Sequence, residues 1–482
     1  MIKMKLFPVV AILSALILTA CATKPASDTA EKEAPLITKE EKKSEPKKEK
    51  DPPNIQFAKE LQALLEKGDT KGAIDHFANI PKSLEGDLDL KMILGALYYS
   101  DSQFDNAISV ANKVLEIDSK NMDALELISM ANYAKGDKTS YSQIANKILK
   151  QDPYNPAINI QKAQDYVLNK KYKLARQSYA KALKGDPENE DAMFGYAQTS
   201  YYTDELKTSK VYFQKLIDKD PQNSAALAYM GKLAYNDENY LKAISYVEEA
   251  LKYDPENYDY WMDYGTYLRY RGKFEDAAKA WEHAATIEPD YFLAYTYLAG
   301  IYDELEKFDL ALKNYHKVIE TNPNYYYAYE SAAILEYHQK NYAEAIKLFN
   351  TAYNYRASDP KLNHLNWAYA LMIAACYYKM DNPQGAKKVI AAQLKKMDYN
   401  SNEYAMVRFF GDTYSRNAES QLIQKINKES DSNIKGKMLF YMGLYCEIIK
   451  ANELAKEYYG KVTNMQAPMF FEYRIAEWGL KE

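Results

Sequence analysis

Three cysteines and five histidines are the residues of this 482-residue chain best suited to nucleophilic or metal chemistry. The histidines are His76, His283, His316, His338 and His364. They are scattered, and no spacing typical of a metal site joins two of them or joins one to a cysteine. The sequence also has no glycine-rich phosphate loop and no strand-borne nucleophile elbow. We therefore expect no catalytic residue, no metal site and no cofactor.

Cys21 directly follows a predicted N-terminal signal, whereas the other two cysteines, Cys376 and Cys446, are expected to be free and buried. Two lysines precede an apolar run from Leu6 to Leu18, and two small residues separate that run from Cys21. A run of 13 residues that contains a proline is short for a membrane-spanning helix, which needs about 20. The pattern predicts a signal peptide over residues 1–20 that is removed by cleavage.

The four residues from Leu18 to Cys21 resemble the lipobox of bacterial lipoproteins. This resemblance implies that diacylglycerol is attached to the Cys21 thiol, that the chain is cleaved before it, and that the new amine is acylated. Two or more acyl chains hold a protein firmly on a bilayer, because each buried methylene contributes about 0.8 kcal/mol. Ala22 after the cysteine implies the outer membrane of a bacterial cell envelope. The alternative is an ordinary signal peptide in which Cys21 is incidental.

Residues 21–53 are expected to form a charged, disordered linker behind the lipidated cysteine. Of the 32 residues from Ala22 to Pro53, 16 are charged, eight of each sign. Such a segment cannot bury a hydrophobic core. As a flexible coil it would span about 30 Å, enough to lift a folded domain off a lipid surface. A binding segment for peptidoglycan or another partner is the alternative.

Prolines at a constant interval of 34 residues mark a repeated unit. They are Pro153, Pro187, Pro221, Pro255, Pro289 and Pro323. Within each unit, apolar and small residues recur at helical spacing in two stretches separated by a polar turn, such as residues 236–239. Each proline ends the second stretch, and an asparagine two residues later, such as Asn155 or Asn257, is a natural N-cap for the next helix. A period of this length predicts stacked helical hairpins.

These units resemble the tetratricopeptide repeat. The unit from Tyr258 carries the pattern of that family at Trp261, Tyr264, Gly265, Leu268, Phe274, Ala277, Trp281, Ala284 and Pro289. The resemblance implies an all-α fold, a right-handed α-solenoid of helical hairpins. Nine contiguous repeats are expected over residues 54–359, followed by divergent repeats and a C-terminal capping helix over residues 360–482. Between residues 401 and 435 the pattern almost vanishes.

A binding groove is expected along the first helix of each repeat. By helical spacing, the second, fifth, ninth and twelfth places form a stripe apart from the inward-packing places. In this family that stripe lines the concave surface. The candidate partner-binding residues are Phe194, Tyr201, Tyr202, Tyr229, Lys232, Tyr235, Met262, Arg269, Tyr270, Tyr297, Asp303 and Tyr337. Tyrosine suits protein recognition, although core packing and overall composition are an alternative origin for the 46 tyrosines.

The groove and the composition together predict a binding protein. The formal charge of −5, without a basic stripe, argues against a nucleic-acid partner. The family's lysine-based clamp for a terminal carboxylate is not reproduced, which favours an internal or folded protein segment as partner. We expect a non-enzymatic, membrane-anchored scaffold for protein–protein interaction in cell-envelope assembly. The alternatives left open are a surface-exposed adhesin or receptor for host or extracellular proteins, and self-association.

Overall fold

The structure is a computed structural model that describes residues 51–357, 366–411, 416–465 and 470–481. Within these ranges every regular element is helical: 25 α-helices and a short 3-10 helix over Phe77–Asn79. The predicted signal peptide, Cys21, the linker up to residue 50 and His364 lie outside the described residues. Contacts between residues divide the chain into two compact units, one that ends at Pro221 and one that begins at Gln222.

The first unit consists of five consecutive helical hairpins. Its helices are α1 Pro53–Glu66, α2 Thr70–His76, α3 Leu88–Ser100, α4 Phe104–Ile117, α5 Met122–Ala134, α6 Lys138–Gln151, α7 Pro156–Leu168, α8 Tyr172–Gly185, α9 Glu190–Tyr202 and α10 Leu206–Lys219. In each hairpin the two helices pack against each other. The apolar faces of the helices meet in a core that includes Leu61, Val114 and Ala175, all without exposed surface.

The second unit begins with four hairpins of the same kind. They are formed by α11 Ser224–Asn236, α12 Tyr240–Tyr253, α13 Tyr258–Tyr270, α14 Phe274–Ile287, α15 Phe292–Glu304, α16 Phe308–Thr321, α17 Tyr326–His338 and α18 Tyr342–Ala357. Seven more helices follow: α19 Trp367–Lys379, α20 Pro383–Leu394, α21 Asn402–Gly411, α22 Arg416–Lys428, α23 Ser432–Ile448, α24 Asn452–Thr463 and α25 Glu472–Lys481. Two of these, α21 and α22, lie where the repeat pattern of the sequence is weakest.

Asparagine side chains start the first helix of several hairpins, as the sequence predicted. The Asn155 side chain accepts a hydrogen bond from the backbone N–H of Ile158 at 3.0 Å, and Asn257 does the same for Tyr260 at 3.2 Å. Asn121, Asn189 and Asn223 cap their helices in the same way. Each cap satisfies one of the four N–H groups that a helix leaves without a partner at its start.

A single residue with positive φ makes the turn inside each hairpin. These residues are Gly68, Ser102, Gly136, Lys170, Asp204, Glu238, Gly272, Glu306 and Lys340, with φ between 54° and 78°. Around Lys340, two backbone hydrogen bonds close the end of α17: Lys340 N–H donates to the Tyr337 carbonyl at 3.0 Å, and Asn341 N–H to the Glu336 carbonyl at 2.8 Å. The left-handed backbone at Lys340 thereby allows two carbonyl groups at the end of α17 to accept hydrogen bonds.

Close packing inside a hairpin depends on small residues at predicted places. A Cβ atom at Gly265 of α13 would collide with the indole ring of Trp281 in α14. Trp281 is fully buried, and its indole N–H donates to the Met262 carbonyl at 3.1 Å. The ring therefore cannot move away, so only glycine fits opposite it.

Helix α19 is covered on more sides than a repeat helix usually is. All ten residues from Trp367 to Cys376 are buried. The helix packs against α18, α20 and α21, and in addition against α23. The hydroxyl of Tyr441 in α23 donates to the Ala368 carbonyl at 2.7 Å. The C-terminal part of this unit therefore folds back onto the repeats instead of continuing the stack.

The two cysteines within the described residues are free and buried, as predicted. Burial raises the pKa of the Cys376 thiol to about 12 and that of Cys446 to about 11, so neither is a thiolate near neutral pH. In the part of the chain that the structure describes, every helix is too short or too polar to cross a membrane.

Candidate protein-binding surface

The predicted groove residues fall in both units. Phe194, Tyr201 and Tyr202 belong to α9 in the first unit. The others, in the second unit, are Tyr229, Lys232, Tyr235, Met262, Arg269, Tyr270, Tyr297, Asp303 and Tyr337. Within the described ranges, no group of three or more histidine, cysteine, aspartate or glutamate side chains is arranged to hold a metal ion.

In the first unit, aromatic side chains gather at the C-terminal end of α9. The Tyr202 ring is 49% exposed and stacks on Tyr172, the first residue of α8, with ring centroids 4.7 Å apart. Tyr201 meets Tyr202 edge to face at 5.7 Å. Phe194 is half-buried and packs edge to face on Phe213 at 5.5 Å. Tyr202 is the most accessible of these groove residues.

In the second unit, three tyrosines form a cluster that we call the tyrosine patch: Tyr235, Tyr240 and Tyr270. Ring centroids are 5.2 Å apart for Tyr235 and Tyr270, and 5.3 Å apart for the stacked pair Tyr240 and Tyr270. Tyr270 is 52% exposed. Burial, together with its hydrogen bond to Tyr270, raises the pKa of the Tyr235 hydroxyl, which therefore stays neutral. Tyr235 and Tyr240 are half-buried, so the patch offers an aromatic surface centred on Tyr270.

Two other predicted residues, Tyr229 and Tyr297, are accessible at least in part. Tyr229 of α11 is half-buried. Tyr297 of α15 is exposed, and its ring centroid lies 5.0 Å from that of Trp281. The buried indole thus supports the ring of Tyr297 from behind. Both tyrosines have the accessibility that a contact residue needs.

Charged residues of the predicted groove are paired inside the second unit. The Lys232 ammonium forms an ion pair with the Asp263 carboxylate, and both side chains are partly buried. Burial raises the pKa of Asp263, and the Lys232 charge acts in the opposite direction. The Arg269 guanidinium lies 3.0 Å from the Glu304 carboxylate in an exposed pair. Because exposed pairs are weak, Arg269 can exchange Glu304 for a partner at little cost.

Met262 does not line the surface that the sequence predicted. Its side chain is buried, only 8% exposed. The neighbouring Trp281 ring, which is held by the Met262 carbonyl, fills the space behind α13. Helical spacing alone placed Met262 on the open stripe, but the bulk of Trp281 brings this part of the helix into the core.

Asp303 is occupied by the chain's own C-terminal helix. The two terminal guanidinium nitrogens of Arg474 in α25, Nη1 and Nη2, donate hydrogen bonds to the two carboxylate oxygens of Asp303. Asp303 is mostly buried in this contact. A partner could reach this carboxylate only by displacing α25, so the prediction of an open binding residue is wrong here.

Trp478 and Lys481 extend the contact between α25 and the repeats. The Trp478 ring stacks on His338 of α17 with centroids 4.0 Å apart, and meets Phe308 of α16 edge to face at 5.7 Å. The Lys481 ammonium lies 3.5 Å from the Glu306 carboxylate. We call the surface formed by Asp303, Glu306, Phe308 and His338 the α25 seat.

Tyr337 is also closed off from a partner. Its side chain is buried, and burial raises the pKa of its hydroxyl well above the usual value. The carboxylate of Glu447 in α23 lies near it, and that carboxylate also pairs with Lys379 and accepts a 2.6 Å hydrogen bond from the Tyr459 hydroxyl. Helices α23 and α24 therefore fill the surface that Tyr337 was predicted to line.

Buried charges anchor the start of α25. The Glu472 carboxylate is fully buried, 4.0 Å from the Lys437 ammonium and 3.0 Å from the Tyr441 hydroxyl oxygen. Burial raises the pKa of Glu472, while the Lys437 charge lowers it. Next to it, Phe471 stacks almost parallel on Tyr369 with centroids 5.7 Å apart. These contacts fix α25 on α19 and α23, and so hold it against its seat.

Sequence reasoning missed the α25 seat, and it also missed Tyr240 as part of the tyrosine patch. Tyr240, Tyr172 and Phe308 are each the first residue of a second helix, outside the stripe that was considered. A signal for them exists, because aromatic residues recur 68 residues apart at these places. The helical spacing of Phe471, Ile475 and Trp478 predicts a terminal capping helix, but no signal in the sequence indicates that Arg474 and Trp478 contact α15, α16 and α17.

Part of the chain matches a known repeat family. Residues 229–291 and 298–362 match the family model described as the tetratricopeptide repeat. No curated protein sequence matches the chain.

Several solved structures are similar to parts of the chain. MamA is 21% identical, with 34% of this chain and 96% of that chain covered and a TM-score of 0.33. YrrB, a TPR protein with an unusual peptide-binding site, is 20% identical, with 39% and 97% covered and a TM-score of 0.34. PilF of Pseudomonas aeruginosa is 19% identical, with 46% and 98% covered and a TM-score of 0.33.

The repeated local structure agrees with the family match. Asparagine caps and a left-handed turn residue recur at the 34-residue interval within hairpins of nearly constant length. Gly265 and Trp281, which carry the repeat pattern in the sequence, make a close helix contact. The described hairpins therefore have the tetratricopeptide-repeat fold, and residues 229–291 and 298–362 match the model of that family.

Proposed function

We propose that this protein is a membrane-anchored lipoprotein whose repeats act as a scaffold for protein–protein interactions during cell-envelope assembly. Tetratricopeptide repeats bind proteins or peptides on the extended surface of their stacked hairpins. The observation that carries the proposal is the exposed aromatic surface on the first helices, centred on Tyr202 in one unit and on Tyr270 in the other. Large aromatic side chains with a polar hydroxyl are enriched where proteins bind each other.

Anchoring is supported by the residues from Leu18 to Cys21 and tested at Cys21. Replacing the acyl-accepting thiol in Cys21→Ser is expected to move the protein from the membrane pellet to the soluble fraction after a salt wash. Cys446→Ser is the matched control, because Cys446 is a free thiol buried within the fold. Continued pelleting of the Cys21→Ser protein would reject the lipid anchor.

Scaffolding is tested by crosslinking in intact cells followed by purification of the protein. We expect envelope proteins to co-purify with the wild type and not with the double variant Tyr202→Ala, Tyr270→Ala. The control double variant, Val211→Ala and Leu241→Ala, removes two exposed apolar side chains from second helices and should keep the partners. Equal recovery from both double variants would contradict a role for the aromatic surface.

The two proposed functions, scaffold and adhesin, differ in the side of the outer membrane on which the protein is located. A protein that works in envelope assembly inside the cell boundary is expected to resist protease added to intact cells. Rapid digestion under those conditions would instead support a surface-exposed adhesin or receptor. Digestion after the outer membrane is permeabilised confirms that the protease can cut the chain.

A further inference from the structure

Three aromatic pairs occupy equivalent places in the repeats. Each joins the first residue of a second helix to the thirteenth residue of the next repeat. The pairs are Tyr172 with Tyr202 at 4.7 Å, Tyr240 with Tyr270 at 5.3 Å, and Phe308 with His338 at 5.1 Å between ring centroids. Successive pairs are 68 residues apart, which is two repeats. The first two pairs are stacked and the third meets edge to face, so an aromatic surface recurs along the chain although its ring geometry differs.

The third pair shows what such a surface binds. Trp478 of α25 stacks on His338 and touches the edge of Phe308. Three residues later, Lys481 pairs with Glu306, the left-handed turn residue beside the pair. The occupant is therefore a helix that presents an aromatic side chain and, almost one turn on, a cation. Residues three or four apart lie on one face of a helix, so both contacts can form together.

The second pair also has an acidic turn residue beside it, and among the described residues of this unit no helix covers it as α25 covers the third pair. Glu238 takes the place of Glu306 as the left-handed turn residue and is exposed. Tyr235 stands where Asp303 holds Arg474, so an aromatic face replaces the carboxylate. Tyr270 is 52% exposed although its ring packs on Tyr240.

We infer that the tyrosine patch with Glu238 is a docking site for a helix of a partner protein that carries an aromatic residue followed, three residues later, by lysine or arginine. The aromatic ring covers Tyr240 and Tyr270, as Trp478 covers the third pair. The cation pairs with Glu238. This inference rests on the proposed function, in which the repeats bind proteins, and it names the chemistry of the partner.

A peptide with the sequence of residues 470–481 is the probe, because it is the one segment known to fit such a pair. It is labelled with a fluorophore and titrated with the full purified chain in detergent, and binding is read as fluorescence anisotropy. We expect saturable binding that Tyr270→Ala weakens at least about tenfold, as expected when an aromatic anchor is lost. Leu241→Ala, an exposed neighbour of Tyr240, is the matched control and should bind as the wild type does.

Charge reversal tests the cation contact separately. Glu238→Lys should lower the affinity of the protein for the peptide. A peptide that carries Lys481→Glu should bind the Glu238→Lys protein with recovered affinity, but it should not bind the wild-type protein well. A peptide with Trp478→Ala should not bind either protein. Recovery of this kind requires the two charges to be adjacent, which general loss of folding cannot imitate.

Three results would overturn the inference. One is the absence of binding at peptide concentrations up to about 1 mM. Another is peptide binding that Tyr270→Ala leaves unchanged but Asp303→Ala abolishes, because the peptide would then be replacing α25 on the α25 seat. A third is peptide-independent dimerisation through the patch, seen by light scattering. Each leaves the crosslinking in cells unaffected, so the proposed function can stand when this inference fails.

Discussion

At the scale of single residues, the turn inside each hairpin imposes a left-handed backbone whatever residue is present. Lys340 holds φ at 65°, where a Cβ atom costs about 1–2 kcal/mol. Glycine avoids that cost, but its greater loss of conformational freedom on folding costs about 0.5–1 kcal/mol. We therefore expect Lys340→Gly to raise the free energy of unfolding by about 0.5–1 kcal/mol, measured by urea unfolding followed by circular dichroism.

Gly272, at φ 71°, is the matched position for the reverse change. Gly272→Ala should lower the free energy of unfolding by a similar amount. If both substitutions were neutral, the turns would not hold the left-handed backbone described above.

The buried carboxylate of Glu472 gives a pH-dependent prediction. Lys437→Met keeps the length of the side chain but removes the cation that faces Glu472, which should cost about 3–5 kcal/mol at pH 7. Burial raises the pKa of Glu472, so the folded protein holds this proton more tightly than the unfolded chain does. The contribution of Glu472 to the free energy of unfolding therefore falls as the pH rises above about 4.3, the ordinary glutamate pKa. The destabilisation caused by Lys437→Met should consequently be smaller at pH 4 than at pH 7.

Urea midpoints of Lys437→Met and of the wild type at the two pH values provide this measurement. The double variant with Glu472→Gln, which has no titrating group at this position, should show a loss that does not depend on pH. The same loss at pH 4 and pH 7 in the single variant would show that Glu472 does not carry the effect.

At the scale of helices, the contact between α25 and the repeats depends on Arg474 and Asp303. The pair is bidentate and Asp303 is largely buried, so the two side chains should be energetically coupled. We expect a double-mutant cycle with Asp303→Ala and Arg474→Ala to give a coupling of about 1–3 kcal/mol in urea unfolding. Additive losses would mean that the pair of Asp303 and Arg474 does not help to hold α25 on the repeats.

The all-α solenoid fold could be predicted from the sequence because the contacts that define it join residues close together in the chain. A hairpin repeats its small residues, its proline and its asparagine cap every 34 residues, and each contact that these residues make lies within one unit or between neighbours. The contact between Asp303 and Arg474 joins residues 171 apart and follows no period. Periodicity therefore predicted Asp303 and Tyr337 as open groove residues, although the C-terminal helices cover both.

At the scale of the molecule, the fold-back of α23–α25 divides the inner surface of the second unit. The part formed by α15 and α17 is occupied from within, and the part formed by α11 and α13 presents the tyrosine patch. Tyr202 presents a comparable aromatic surface in the first unit. A lipid at Cys21 and a charged linker would place these surfaces near a membrane without burying them in it.

Site-specific photocrosslinking in living cells tests most directly whether the open aromatic surface binds proteins. Benzoylphenylalanine at position 270 or at position 308 replaces one aromatic ring by another, and position 279 on the exposed face of α14 is the control. We predict adducts of higher mass from position 270, reaction within the chain from position 308 because Trp478 covers it, and no specific adduct from position 279. Equal adducts from all three positions, or none from position 270, would contradict the account.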